Sequence, residues 1–296
     1  AKSCVMVRRR AKRRDAFKSF FNNYLVKSKK SYTPQNIGEL KNDYDLFISG
    51  SDQVWSPRCV GFDPAYFLTF ADDKQKYSYA ASFAVPTLPD EFIDEYKKRL
   101  NGFQKFSVRE PSGEKLVKEL TGRTAETHLD PTLLISADEW KKIAVSKIDK
   151  PYILIFTANP AVSLVDFALK LSKEKNLPVY CINDAPHPVS HGINYIVAPT
   201  VEEFVGCFKN AEYVVTNSFH GTAFSVIFNK NLFVEFKNKS GRNIRSEGLL
   251  KSLGIDREIV DGNCRETEIN WDIINAQLKT LGSKSKKYLS EIVNME

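Results

Sequence analysis

The sequence has few cysteines and no long apolar run. Its five cysteines are odd in number, widely spaced and never in a CxxC pair; they are Cys4, Cys59, Cys181, Cys207 and Cys264. This spacing excludes a disulfide framework and predicts reduced thiols. No stretch of about 18 apolar residues occurs, and no apolar segment near the start is typical of a signal peptide. We therefore expect a soluble, cytoplasmic protein.

Residues that bind metals are also scarce. The sequence contains four histidines, and three of them, His128, His187 and His191, have no carboxylate partner at the spacing of metal ligands. We expect no metal site and no bound cofactor.

The net positive charge is confined to the first thirty residues. The net charge is +7, but residues 1–30 hold eleven Lys and Arg against one acid, so this segment carries +10 and the remainder −3. Aromatic and apolar residues recur there at helical spacing, namely Phe17, Phe20, Phe21, Tyr24 and Leu25. We interpret the segment as a packed helix with a solvated basic face. Peripheral contact with an anionic membrane is the alternative, and nucleic-acid binding is disfavoured because no binding motif accompanies the charge.

Strand-like apolar runs alternate with helical patterns along the rest of the chain. The predicted strands are 44–50, 76–85, 103–108, 152–156, 178–182, 195–197, 213–215 and 232–236. Such alternation is typical of α/β folds with parallel sheets. We predict two Rossmann-like domains that face a cleft. The expected boundaries are 1–140, 150–268, and a terminal helix over 269–296 that packs back toward the first domain.

Several local expectations follow from individual residues. Ser51 and Asp52 are suited to cap a helix, and Thr200 with Glu203 forms a capping box. Residues 129–135 are predicted to be extended, 141–150 to form a linker, and the terminal helix to break near Gly282. Asp130, before a proline, is predicted to form a turn.

Two polar clusters directly follow predicted strands, where ligands of parallel sheets bind. The first is Ser218–Gly221 at the start of a helix, a position that attracts anions. There His220 could bind a phosphate or carboxylate or transfer a proton, and Gly221 would let a ligand approach the backbone. The second is Arg109, suited to bidentate recognition of carboxylate or phosphate.

Five motifs occur in an order that resembles the polysaccharide pyruvyl transferase family. They are GSDQVW (50–55), YAASF (79–83), SVRE (107–110), LDPTLL (129–134) and NSFHG (217–221). The segment 249–255 and the terminal amphipathic helix are also similar to the family. Together the motifs span about 170 residues of the chain.

The resemblance implies a GT-B-like fold, a phosphoenolpyruvate co-substrate, and a carbohydrate or lipid-linked sugar acceptor. It places Arg109 and His220 at the donor, with Ser218, Phe219 and Gly221 beside them. Arg245 matches by spacing alone as a third cation. His220 is either the acid or the group that neutralises the departing phosphate. Asp52 is either the base on the acceptor hydroxyl or a helix cap.

The sequence departs from the family at two places. Family members usually open with a hydrophobic strand, a glycine-containing loop and a helix, so we expect the first domain to lack its N-terminal strand. We favour truncation over an inactive member because the downstream motifs are intact. The second departure is Asn217, where an Asp is common, and this loss of charge could alter the protonation of His220.

Two other functions compete with pyruvyl transfer. A GT-B nucleotide-sugar glycosyltransferase or epimerase would use the same fold and a His at a strand end. A noncatalytic carbohydrate-binding or scaffold protein derived from the family is the third hypothesis.

Overall fold

The computed structural model describes residues 2–58, 62–159, 161–182, 191–238, 241–260, 262–264 and 267–294. They fall into two compact units, each made of separate chain segments. The small-sheet unit comprises Lys29–Leu134, Glu247–Leu253 and Asp272–Glu296. The large-sheet unit comprises Ala1–Ser28, Ile135–Ser246 and Gly254–Trp271.

The helices and strands alternate over most of the described chain. The α-helices are α1 (Lys2–Tyr24), α2 (Ile93–Leu100), α3 (Pro111–Thr121), α4 (Ala137–Ile143), α5 (Val162–Lys175), α6 (Val201–Asn210), α7 (Phe219–Ile227), α8 (Ile244–Ser252) and α9 (Trp271–Val293). The strands are β1 (Phe47–Ser49), β2 (Lys76–Ser78), β3 (Ser107–Val108), β4 (Glu126–Thr127), β5 (Ile153–Phe156), β6 (Val179–Ile182), β7 (Ile193–Ile196), β8 (Tyr213–Thr216), β9 (Asn231–Val234), β10 (Lys237–Asn238) and β11 (Gly241–Arg242).

A parallel sheet forms the centre of the large-sheet unit, with its described strands in the order β7-β6-β5-β8-β9. Its inner strands are continuous apolar runs, as expected for a sheet whose two faces are both covered. In β5, Ile153 and Ile155 are fully buried and pack in one cluster with Leu164 and Ala168 of α5. The predicted α/β fold with parallel sheets is confirmed.

Two short parallel pairs, β1 with β2 and β3 with β4, lie in the small-sheet unit. Single bridges from Tyr77 to Lys105 and from Ala81 to Val108 connect the two pairs. Beside them Trp55 is fully buried, with the rings of Phe83 and Phe103 at centroid distances of 5.3 and 5.4 Å. Trp55 is therefore a core residue of this unit.

The terminal helix α9 packs within the small-sheet unit. The Tyr288 hydroxyl donates to the Ser78 carbonyl at 3.0 Å, and the Ser285 hydroxyl accepts from the Leu129 amide at 3.1 Å. The helix continues through Gly282 without the predicted break, and the φ of this glycine does not lie in the left-handed region.

The start of the chain belongs to a different unit from the one predicted, because the predicted first domain covered all of residues 1–140. Residues 1–28 group with the large-sheet unit, in which α1 has contacts with α6.

The predicted strand 76–85 is wrong beyond Ser78. Ala80 and Ala84 have positive φ angles of 48° and 57°, which interrupt an extended chain. The Ala80 amide donates to the Ser107 hydroxyl at 2.9 Å instead of joining a strand ladder. Similarly, of the predicted strand 103–108 only β3 forms.

Three further local predictions are corrected. No helix begins within residues 53–58, which directly follow Asp52 and form bends and turns, and Asp52 itself has a φ of 61°. The segment predicted to be extended contains a 3₁₀ turn over Pro131–Leu134. The predicted linker starts inside α4, and its Val145 amide then donates to the Glu202 carbonyl of α6 at 2.9 Å. The capping box of Thr200 and Glu203 is confirmed at the start of α6.

The predicted packing of the basic helix is wrong for most of its apolar side chains. Phe17, Phe21, Tyr24 and Leu25 are 42–47% exposed, whereas Phe20 is half-buried. The helix forms, but most of its aromatic side chains face solvent.

Candidate active site

The turn between β8 and α7 positions four of the predicted site residues. Ser218 is the N-cap of α7, its hydroxyl accepts from the Gly221 amide at 3.4 Å, and its carbonyl accepts from the Thr222 amide at 2.9 Å. Because Ser218 closes this first turn, Phe219 and His220 are fixed at the N-terminus of the helix, where the partial positive charge favours an anion.

Gly221 is required by packing inside the large-sheet unit. A Cβ at this position would lie 2.2 Å from Thr216 Oγ1 and 3.2 Å from Phe156 Cδ1. Its missing side chain lets α7 lie against the ends of β5 and β8, and the approach of a ligand to the Gly221 backbone stays a prediction.

Asn217 connects the turn to two neighbouring loops. Its Oδ1 accepts from the Ala158 amide at 2.9 Å, and its Nδ2 donates to the Asn159 carbonyl at 2.9 Å. Its own carbonyl accepts from Asn243 Nδ2 at 3.0 Å. Asn243 also bonds Ser246 in α8. An amide can make both the donor and the acceptor contact, whereas an ionised carboxylate only accepts.

His220 and Arg245 lie beside the same aromatic ring. The imidazole of His220 is edge-on to Phe219 at a centroid distance of 5.4 Å, and the Arg245 guanidinium lies 5.9 Å from the centre of the same ring. Both side chains are half-buried. The spacing-based prediction of Arg245 thus leads to a residue near the start of α7, and we call Ser218, Phe219, His220 and Arg245 the His220 cluster.

Arg109 belongs to a second cluster in the small-sheet unit. Its Nη1 lies 2.7 Å from Asp130 Oδ2, and its Nη2 lies 3.4 Å from Asp52 Oδ1. The Ser51 hydroxyl donates to the same Asp130 oxygen at 2.8 Å. The side chains of Arg109 and Asp130 are 1% and 3% exposed, whereas that of Asp52 is 66% exposed. In this Arg109 cluster the guanidinium faces two carboxylates, of which only Asp52 faces solvent.

The parallel pairing of β3 and β4 brings Arg109 and Asp130 together. Val108 pairs with Thr127, and the His128 amide donates to the Val108 carbonyl at 3.0 Å. Both charged residues therefore follow the same edge of the strand pair.

Sequence reasoning missed Asp130 as a partner of Arg109. Its predicted role in a turn is correct, because Oδ1 accepts from the Thr132 amide at 2.9 Å, while Oδ2 accepts from Arg109 Nη1 at 2.7 Å. The signal that could have found it was the position of both residues just beyond adjacent parallel strands.

Buried polar side chains also lie close to Arg109 and Asp130 along the chain. Glu110 Oε1 accepts from the Ser82 hydroxyl at 2.9 Å and from the Ala84 amide at 3.0 Å. His128 Nδ1 lies 2.8 Å from the Ser107 hydroxyl, and burial lowers the pKa of His128 below its usual 6.5. A neutral imidazole is expected at this position.

The predicted absence of a metal site stays a prediction. Among the described residues no group of three or more His, Cys, Asp or Glu side chains is arranged to hold a metal ion. His187 lies outside the described residues.

Helices that cross a bilayer are long and apolar, and none of the helices described here has both properties.

The parallel α/β fold is similar to that of solved GT-B-like enzymes. Two solved structures of UDP-GlcNAc 2-epimerase from Methanocaldococcus jannaschii are similar. One, in complex with UDP-GlcNAc and UDP, is 12% identical with a TM-score of 0.53 over 94% of this chain and 88% of that chain. The other is 12% identical with a TM-score of 0.56 over 95% and 90%. Similarity at this identity shows the fold alone.

The family is shown by a match over most of the sequence. The model of the polysaccharide pyruvyl transferase family matches residues 3–234, and the chain belongs to this family. No curated protein matches the chain. Membership identifies a transferase with a pyruvyl transfer role in polysaccharide biosynthesis. Arg245 lies beyond the matched residues, whereas Asp52, Arg109 and His220 lie within them.

Proposed function

We propose that the protein transfers the enolpyruvyl group of phosphoenolpyruvate to a sugar or polysaccharide precursor, forms a pyruvate ketal and releases phosphate. The observation that carries this proposal is that His220 and Arg245 both lie beside the ring of Phe219 at the start of α7.

The donor explains the need for such a cluster. Phosphoenolpyruvate carries a carboxylate and a phosphate, and cations together with a helix N-terminus stabilise both anions. Arg245 supplies a permanent charge, and His220 supplies a charge that depends on pH. Ser218, Phe219 and Gly221 form the backbone turn that presents these groups.

The reaction balances without another reactant. A proton added to the methylene carbon of phosphoenolpyruvate leaves an oxocarbenium-like centre at C2, which one sugar hydroxyl attacks with loss of its proton. A second hydroxyl then forms the other C–O bond as the C–O bond to phosphate breaks. The proton of the first hydroxyl replaces the one consumed at the methylene carbon, and the proton of the second hydroxyl leaves with the phosphate, so the products are the ketal and hydrogen phosphate.

His220 is the candidate for the acid or for the group that neutralises the departing phosphate. Both roles need a partly accessible imidazole at an anion-binding position, and the half-buried His220 meets that requirement.

Asp52 is the candidate for the base on the acceptor hydroxyl. The alternative role as a helix cap is not supported, because residues 53–58 directly after Asp52 form bends and turns rather than a helix. Its carboxylate is 66% exposed and lies 3.4 Å from Arg109 Nη2. An oriented, accessible carboxylate fits proton abstraction from a hydroxyl.

Arg109 enters the proposal as a donor-binding residue through the family motif SVRE. Its contacts with Asp52 and Asp130 give Arg109 a second role in the proposal, because the guanidinium also orients the Asp52 carboxylate.

The acceptor is proposed to be a carbohydrate or a lipid-linked sugar, and the location to be the cytoplasm. The buried, free thiols of Cys181 and Cys207 support a reducing compartment. No bound cofactor and no nucleic-acid partner form part of the proposal.

A nucleotide-sugar enzyme is the second candidate, because the two similar structures are UDP-GlcNAc 2-epimerases and one holds UDP-GlcNAc and UDP. The fold alone supports this alternative.

One assay separates the candidates. The protein is incubated with phosphoenolpyruvate and galactose-, mannose- or glucosamine-type glycans, while phosphate release and glycan mass are followed. We expect phosphate release together with the mass increase of a ketal. If no phosphate is released with any acceptor and UDP-sugars stabilise the protein against heat, the proposal is refuted. If no phosphate is released and UDP-sugars give no stabilisation, the protein is a noncatalytic relative.

Two variants test the assigned residues. His220→Ala is expected to lower turnover by about 10²–10⁴-fold, as for loss of a general acid, and Arg109→Ala is expected to abolish it. The exposed His191→Ala serves as the matched control. Wild-type turnover in either site variant would refute its role.

A further inference from the structure

An aromatic stripe on α1 faces solvent. Phe17, Phe21 and Tyr24 follow one another at intervals of four and three residues, so they share one face of the helix. They are 42%, 46% and 47% exposed, and Leu25 and Val26 directly after them are 46% and 103% exposed. Large side chains of this kind are normally covered when they form a contiguous patch.

Basic residues border the stripe. They are Arg10, Arg13, Arg14 and Lys18, all exposed. The Arg13 guanidinium lies 5.6 Å from the centre of the Phe17 ring, and Lys27 Nζ lies 6.0 Å from that of Phe21. The cations and the rings therefore form one surface.

The charge of this surface differs from that of the rest of the chain. Residues 1–30 carry eleven basic residues and one acid, Asp15, whereas the remaining residues are net acidic. The complement of such a surface is a dense negative charge next to an apolar layer. The headgroup and acyl boundary of an anionic bilayer has both properties.

We propose that α1 docks the protein on an anionic membrane surface. Phe17, Phe21 and Tyr24 enter the boundary between headgroups and acyl chains, and the flanking Arg and Lys side chains contact lipid phosphates. A second copy of the helix is a poor partner because both would carry the same charge. The proposal concerns α1 alone and stands independently of the proposed reaction.

Vesicle flotation with the full chain tests the proposal. We expect binding to vesicles of phosphatidylcholine mixed with phosphatidylglycerol, weaker binding at high salt, and no binding to phosphatidylcholine alone. Binding to neither vesicle, or equal binding to both, would overturn it.

Charge and aromatic variants separate docking from simple adsorption. Arg13→Gln with Arg14→Gln is expected to weaken binding about fivefold per removed charge, whereas Lys279→Gln with Lys286→Gln, two exposed lysines of α9, leaves it unchanged. Equal losses in the two pairs would show that only net charge matters and would refute the proposal.

Phe17→Ser with Phe21→Ser is expected to reduce binding at unchanged charge, with Val162→Ser, 77% exposed, as the control. Wild-type binding by the aromatic variant would also refute the proposal. A competition experiment gives a further test: if single-stranded nucleic acid displaces the protein from the vesicles but salt does not, the proposal is refuted as well. Because the altered side chains are exposed, equal melting temperatures are expected and are checked for each variant.

Discussion

Asp130→Asn removes the buried negative charge beside Arg109 while it preserves the size of the side chain. The variant keeps the acceptor for the Thr132 amide but replaces the oxygen that lies 2.7 Å from Arg109 Nη1. Arg109, whose side chain is 1% exposed, then has the exposed Asp52 at 3.4 Å as its carboxylate partner. Breaking a buried pair by removing one partner costs about 3–5 kcal/mol.

The matched change Asp52→Asn tests the same cation from its exposed side. Because Asp52 is 66% exposed, its pair with Arg109 is worth about 0–1 kcal/mol. In urea unfolding followed by tryptophan fluorescence, with m of about 1–3 kcal/mol/M, the cost of about 3–5 kcal/mol for Asp130→Asn is expected to lower the midpoint by roughly 1–5 M. Asp52→Asn should change it much less.

A double variant completes the test. Arg109→Met removes the buried cation, so Arg109→Met combined with Asp130→Asn should be less destabilised than the sum of the two single variants. Equal effects of Asp130→Asn and Asp52→Asn, or simple additivity in the double variant, would refute the claim that Asp130 is the principal counter-charge of Arg109.

Three further predictions concern single positions. Gly221→Ala is expected to destabilise by about 1–3 kcal/mol in urea unfolding through overpacking, whereas Gly282→Ala, with open space around its Cβ, should be neutral or stabilising; equal effects would contradict the packing argument. Asn217→Asp loses the hydrogen-bond donor to the Asn159 carbonyl and should lower the free energy of unfolding by about 1–3 kcal/mol. An unchanged melting temperature would contradict this prediction. Burial lowers the pKa of His128, so the unfolded chain binds more protons and stability should fall as the pH drops below 6.5; His128→Gln should flatten this dependence, and an unaltered pH profile would show that another group titrates.

The sequence predicted elements whose signals are local. The capping box of Thr200 and Glu203 and the strand before Asn217 depend on neighbours within a few residues, and both are found in the structure. The strand predicted over 76–85 failed because Ala80 and Ala84 adopt positive φ angles that their residue type does not announce.

The sequence allowed individual residues of the candidate site to be predicted, but not which side chains contact one another. His220 and Arg109 were found because each follows a strand. Asp130 was missed as a partner because its contact with Arg109 depends on the pairing of β3 with β4, a tertiary property. The exposed stripe of α1 was missed for the converse reason: helical spacing shows which side chains share a face but not whether anything covers it.

The two units are interwoven along the chain. The chain passes from one unit to the other after Ser28, Leu134, Ser246, Leu253 and Trp271. A gene cut near residue 140 would therefore yield one fragment with α1 but without the sheet of its unit, and another with α9 but without the strands it packs on. Neither half is a suitable expression fragment, and exchanging domains between relatives would require several simultaneous junctions rather than one.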